Sequence, residues 1–126
     1  MTAPNCTQGI FSTVFSPEFN LLNWIGAFLT DRKAQHVAPG TLKFYQKKCS
    51  LFTEFCETQA IGCVTEITPN AIRAFLLHLE DKGHNPGGVH AAYRTLKAFL
   101  NWFGQEAEPP GWSNPLHKVK APRVAL

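Results

Sequence analysis

Apolar residues recur along most of the chain at spacings of three and four, the period that gathers side chains on one face of an α-helix. Four such segments follow one another. Leu22, Ile25, Phe28 and Leu29 share a face in a helix predicted over Pro17–Arg32. Leu42, Tyr45, Cys49, Phe52 and Cys56 do so over Pro39–Thr58, where Phe44, Leu51 and Phe55 widen the stripe. Ile72, Phe75, Leu76 and Leu79 mark a third helix over Pro69–Lys82. Val89, Tyr93, Leu96, Leu100 and Phe103 mark a fourth over Pro86–Phe103.

The punctuation agrees with the period. Ser16-Pro17, Thr68-Pro69, Asn85-Pro86 and Asn114-Pro115 each place a side-chain oxygen before a proline. The oxygen can accept from the free amides of a first helical turn, and proline at the first helical position gives up no needed donor. Gly83 and Gly104 stand where the third and fourth segments are expected to stop. The only strand-like stretch, Gly62–Ile67, is short and isolated, so the predicted class is all-α with four main helices. Met1–Phe15 has no clear period and reads as a flexible leader. Residues 16–117 form the expected domain, and 118–126, basic and containing Pro122, read as a linker and not a packed element.

Length and composition narrow the class further. The chain has 126 residues, 44% of them apolar and ten of them Phe. That suits one domain of the usual ~100–200 residues with a real core, not a disordered tail. No apolar run approaches the roughly 20 residues of a membrane span, and Met1–Ile10 lacks the basic and apolar regions of a secretory signal. Four cysteines, Cys6, Cys49, Cys56 and Cys63, leave a disulfide pair open. A domain of this size does not need one, so buried, reduced thiols and a cytoplasmic protein are expected. No cysteine–histidine cluster has metal-ligand spacing, so no metal or other cofactor is expected.

The net charge of +3 says little by itself, but its distribution says more. From Arg32 to Leu51 there are five basic residues and no acidic one; from Lys82 to Gln105 there are three, again with none acidic. On the fourth helix His90, Arg94, Lys97 and Asn101 fall within an arc of roughly 60°. Small residues Ala91 and Ala98 stand beside them, and Gly87 and Gly88 open the helix, so a bulky polyanion could come close to the backbone. On the second helix Lys43, Lys47 and Ser50 share the polar face, while Lys48 sits at an apolar edge where its stem can snorkel. A solvated helix face explains some of this pattern. Two faces without acids point toward nucleic acid.

The ordered motifs extend that reading. Thr41 and Tyr45, then Leu51, Phe52 and Phe55, are followed by Ile67-Thr68-Pro69 and by Ile72, Phe75, Leu76 and Leu79. Gly83 and Pro86 come next, then Leu96 to Phe103 with its Phe99 and Trp102, and finally Asn114-Pro115. This order and spacing resemble the core-binding domain of the tyrosine recombinases, the phage-integrase family, over roughly Leu21–Pro122. The resemblance implies a compact, orthogonal SAM-like bundle that forms half of a C-shaped clamp on double-stranded DNA, used in site-specific recombination or integration. It implies that the second and fourth helices approach the major groove and phosphates. Thr41, Lys43, Lys47 and Lys48 would then face DNA, with Gly88, His90, Arg94, Lys97 and Asn101, and the linker lysines Lys118 and Lys120. It also implies partners: the catalytic domain of the same parent protein, and other recombinase protomers on DNA. The chain departs from the family pattern at Gly88 and His90, where Ser or Thr and Arg are common, and at Ala38, where a capping Ser or Thr is usual.

Catalysis by this chain is not expected. A tyrosine recombinase needs a nucleophilic Tyr, with Arg and His to stabilise the charge on the attacked phosphate. The chain lacks His-x-x-Arg, and Tyr45 and Tyr93 lie on apolar faces. His36, His78, His84, His90 and His117 are scattered. The alternative to DNA binding is a helical protein-interaction module in which Trp24, Trp102 and Trp112 supply an aromatic anchor.

Overall fold

A computed structural model describes residues 18–123. The expected leader, the Ser16-Pro17 helix start and Cys6 lie outside them. The chain divides into two compact units, Met1–Ile67 and Thr68–Leu126. Among the described residues there are four α-helices and two short 3₁₀ turns, and the only β pairing is one isolated bridge.

The first unit holds α1 (Leu21–Ala34), α2 (Pro39–Thr58) and the 3₁₀ turn η1 (Val64–Glu66). Helix α1 starts at Leu21 and not Pro17, because Asn20 caps it: its Oδ1 accepts from the Asn23 amide at 2.9 Å. The buried stripe differs from the predicted one at its first residue. Leu21, Ile25 and Phe28 are the buried residues, one turn and then two turns along a single stripe, whereas Leu22 is 65% exposed. Phe28 meets Tyr45 of α2 with ring centroids 5.5 Å apart, and Cys49, Phe52, Phe55 and Cys56 carry the α2 side of the core. Gly62–Ile67 is a turn, not a strand. Leu21 donates to the Gly62 carbonyl at 2.9 Å and Val64 to the Phe19 carbonyl at 2.8 Å, which ties the entry of α1 to the end of the unit. Glu66 Oε1 closes η1 by accepting from the amides of Gly62 and Cys63 at 3.1 and 3.2 Å.

The cysteines correct an expectation. Cys49 and Cys56 are free and buried, but Cys63 is disulfide-bonded, so the thiols are not all reduced. The seven-residue spacing of Cys49 and Cys56 puts them about 10 Å apart along the helix axis, too far to bridge. Cysteine usage assigns no redox compartment to this protein. No helix among the described residues is long and apolar enough to cross a membrane.

The second unit holds α3 (Pro69–Asp81), α4 (Pro86–Ala107) and the 3₁₀ turn η2 (Pro115–Lys118). The predicted caps are present: Thr68 Oγ1 accepts from Ala71 at 3.0 Å, Asn85 Oδ1 from Gly88 at 2.8 Å and Asn114 Oδ1 from Leu116 at 2.9 Å. Gly83 ends α3 at φ +93°, a conformation that costs glycine little. Gly104 does not end α4, which runs on to Ala107. Its missing side chain serves packing instead, since the Trp112 ring rests on it. Ile72, Phe75 and Leu79 of α3 and Val89, Leu96, Phe99, Leu100 and Phe103 of α4 are buried. Thr95, also buried, donates its hydroxyl to the Ala91 carbonyl at 3.1 Å and so leaves no unmet donor. The expected linker begins packed: Val119 is only 6% exposed.

Candidate nucleic-acid interface

Each unit offers a basic helix face. On α2, Thr41, Lys43 and Lys47 are exposed. Ala38, at the cap position, has no side-chain oxygen and makes no side-chain cap bond to this helix. Lys48 is half-buried, with Nζ 5.7 Å from the centroid of the Phe44 ring. Burial, and then the neighbouring Lys47 charge, push its pKa below the ordinary lysine value. Lys48 is therefore the snorkelling edge residue of the pattern, held on an aromatic ring rather than extended to solvent. Arg32 is also spoken for: its Nη2 pairs with Asp31 at 2.9 Å, and its guanidinium lies 5.1 Å from the Phe28 ring centroid.

On α4, Arg94 and Lys97 are exposed, and His90 is half-buried with its ring 6.2 Å from that of Tyr93. Two other predicted contributors have different work. The Gly88 amide is already taken by Asn85. Asn101 accepts from Asn114 Nδ2 at 2.9 Å, at the edge of a groove that Leu100, Gly104 and Trp112 also line. Ala91 is buried, so the expected strip of small residues beside the basic arc is interrupted. Lys118 and Lys120 are exposed on either side of buried Val119. Among the described residues, none of Lys43, Lys47, Arg94 and Lys97 makes an ion pair.

Tyr93 is half-buried, and its hydroxyl donates to the Val119 carbonyl at 3.2 Å. Tyr45 packs on Phe28 and Phe44. Both tyrosines thus serve the core. The described residues contain no cluster of three or more His, Cys, Asp or Glu suited to a metal ion. One residue with a structural hand in this face escaped sequence reasoning. Arg73 reaches from α3 to the Lys118 carbonyl, and nothing in the spacing of residues 45 apart could have signalled it.

The model of the phage integrase N-terminal SAM-like domain matches residues 24–107, well over half of the chain. The chain belongs to that family. The matched domain is the N-terminal one and not the catalytic domain of these proteins. The tyrosine recombinase XerC of Oceanobacillus iheyensis is 22% identical over 91 residues, which are 72% of this chain and 29% of that protein. The chain thus spans under a third of that curated relative. The N-terminal domain of a phage integrase/site-specific recombinase from Haloarcula marismortui matches with a TM-score of 0.73 at 17% identity, over 82% of this chain and 97% of that one. Lambda integrase, solved as a tetramer bound to a Holliday junction, matches with a TM-score of 0.70 at 17% identity, over 99% of this chain and 34% of that one. At these identities the structural likeness is one of fold. Among the described residues the integrase N-terminal domain is four α-helices without a sheet.

Proposed function

We propose that this domain binds double-stranded DNA as the core-binding half of a tyrosine recombinase, in site-specific recombination or integration. One observation carries the reading: exposed, unpaired cations stand at helical spacing on each of two acid-free stretches. Lys43 and Lys47 are four apart on α2, and Arg94 and Lys97 three apart on α4. Like charges at these spacings destabilise a helix by about 0.2–0.5 kcal/mol per pair. Folding gains nothing from them, whereas a polyanion would turn the repulsion into attraction. The lambda integrase neighbour, solved on a Holliday junction, supports the same reading.

The catalytic domain of the parent protein and further protomers are the partners this function needs. A DNA-bound recombinase acts in the cytoplasm, at the nucleoid. Thr41, Lys43, Lys47, His90, Arg94 and Lys97 would make the principal contacts, with phosphates supplying most of the affinity. The aromatic-anchor alternative is weaker, because two of its three tryptophans are occupied. Trp24 donates its indole N–H to the Glu18 carbonyl at 2.8 Å, and Trp112 packs edge-on against Phe103 with centroids 5.2 Å apart.

Affinity for duplex DNA measured against salt tests the proposal. Binding should weaken steeply with salt, and Lys47→Ala and Arg94→Ala should each lower the log–log slope by about 1. No binding at low salt, or an unchanged slope in both variants, sinks it. Binding to the catalytic half without any affinity for DNA would favour the protein-interaction reading instead.

A further inference from the structure

In the second unit two helices grip the chain at the end of η2. Arg73 of α3 donates from Nη2 to the Lys118 carbonyl at 2.8 Å, while its Nη1 donates to Asn70 Oδ1 at 2.7 Å. Two bonds to different acceptors fix the guanidinium plane. Tyr93 of α4 donates its hydroxyl to the next carbonyl, that of Val119, at 3.2 Å. The Val119 amide donates to the Leu116 carbonyl at 3.0 Å, and its side chain is buried. Consecutive carbonyls are thus held from two helices, over sequence separations of 45 and 26 residues. The residues flanking Val119 are Lys118 and Lys120, both exposed.

We propose that Arg73 and Tyr93 are positioning residues for DNA binding: they seat residues 118–120 so that Lys118 and Lys120 meet phosphates from a fixed backbone. The inference rests on the DNA-binding reading above. Its physical basis is the entropy of ordering. A lysine on a loose tail must have its backbone fixed when it binds, whereas here folding has already fixed it. The acceptors are neutral carbonyls, so neither contact cancels a positive charge, and the Arg73 cation stays in the local field.

The experiment uses the full 126-residue chain. Tyr93→Phe removes one hydroxyl and little else. Amide exchange at 117–120 should quicken by about two- to tenfold, the factor that one hydrogen bond is worth. Affinity for duplex DNA at low salt should fall by a similar factor, with a salt slope nearer that of the Lys118→Ala/Lys120→Ala double variant. In that double variant, Tyr93→Phe should still quicken exchange but leave DNA affinity unchanged. Arg73→Ala should quicken exchange at the same amides. Unchanged exchange in both Tyr93→Phe and Arg73→Ala overturns the grip itself. Faster exchange with undiminished DNA affinity overturns its role in binding, as does a further loss of affinity in the double-lysine background. If the unmodified chain does not bind duplex DNA, the DNA reading fails together with the positioning role, while exchange still reports whether the grip exists.

Discussion

The Trp112 ring lies so close to Gly104 that a β-carbon on that glycine would stand 2.9 Å from Trp112 Cζ3. Trp112 in turn packs edge-on to Phe103, the residue before Gly104. A loop tryptophan is thus seated on two successive positions of α4, one fully buried aromatic and one bare backbone.

Gly104→Ala follows directly. In an exposed helix interior this change stabilises by about 1 kcal/mol through helix propensity. Here the added methyl group must push the indole off its seat, a cost of about 1–3 kcal/mol typical of overpacking. A net loss of stability is expected in urea unfolding. Trp112→Ala in the same background should remove the clash, so that the two changes are strongly non-additive.

The capped start of α1 sets a second contrast. Phe28 is fully buried and Leu22 is 65% exposed, although both belong to the stripe predicted from period alone. Phe28→Ala should cost about 3–5 kcal/mol, whereas Leu22→Ala should stay within about 0.5 kcal/mol. Comparable losses for the two, read from denaturant midpoints, would place Leu22 in the core beside Phe28.

The two buried thiols make an alkaline prediction. Burial pushes the pKa of Cys49 and Cys56 up to about 12, well above the ordinary thiol value of 9.0. The folded state therefore holds these protons where the unfolded chain releases them. Their contribution to stability is complete below pH 9 and is lost as pH rises toward 12. Between those limits each thiol makes the folded state progressively less stable as pH rises. Cys49→Ala/Cys56→Ala, compared with the unmodified chain, should flatten the alkaline limb of a stability–pH curve. Both thiols should also resist alkylation at pH 8 until the protein is unfolded.

Much of the fold was legible because its signals are local. The starts of α2, α3 and α4 follow from Pro39, Thr68-Pro69 and Asn85-Pro86, where proline or a capping oxygen acts within three residues. The start of α1 was misplaced because Asn20, with no proline after it, gives a quieter signal than Ser16-Pro17. Gly104 lies inside α4 for a related reason. A glycine ends a helix by turning to positive φ, as Gly83 does; Gly104 does not, and its bare backbone seats Trp112 instead. The candidate interface divides in the same way. Exposure of Lys43, Lys47, Arg94 and Lys97 agrees with the helical wheel, but the engagement of Gly88 by Asn85 and of Asn101 by Asn114 does not appear on a wheel.

The sequence by itself determined the four-helix class, most helix limits, the acid-free basic stretches and the resemblance to the integrase family. Helical period, caps and charge order all act over a few neighbouring residues, so they can be read in one dimension. Only the tertiary structure decided that Leu21 and not Leu22 enters the core, that Lys48 rests on Phe44, and that Arg73 and Tyr93 hold the carbonyls of Lys118 and Val119. The last two contacts join residues 45 and 26 positions apart, and packing sets that proximity rather than local propensity.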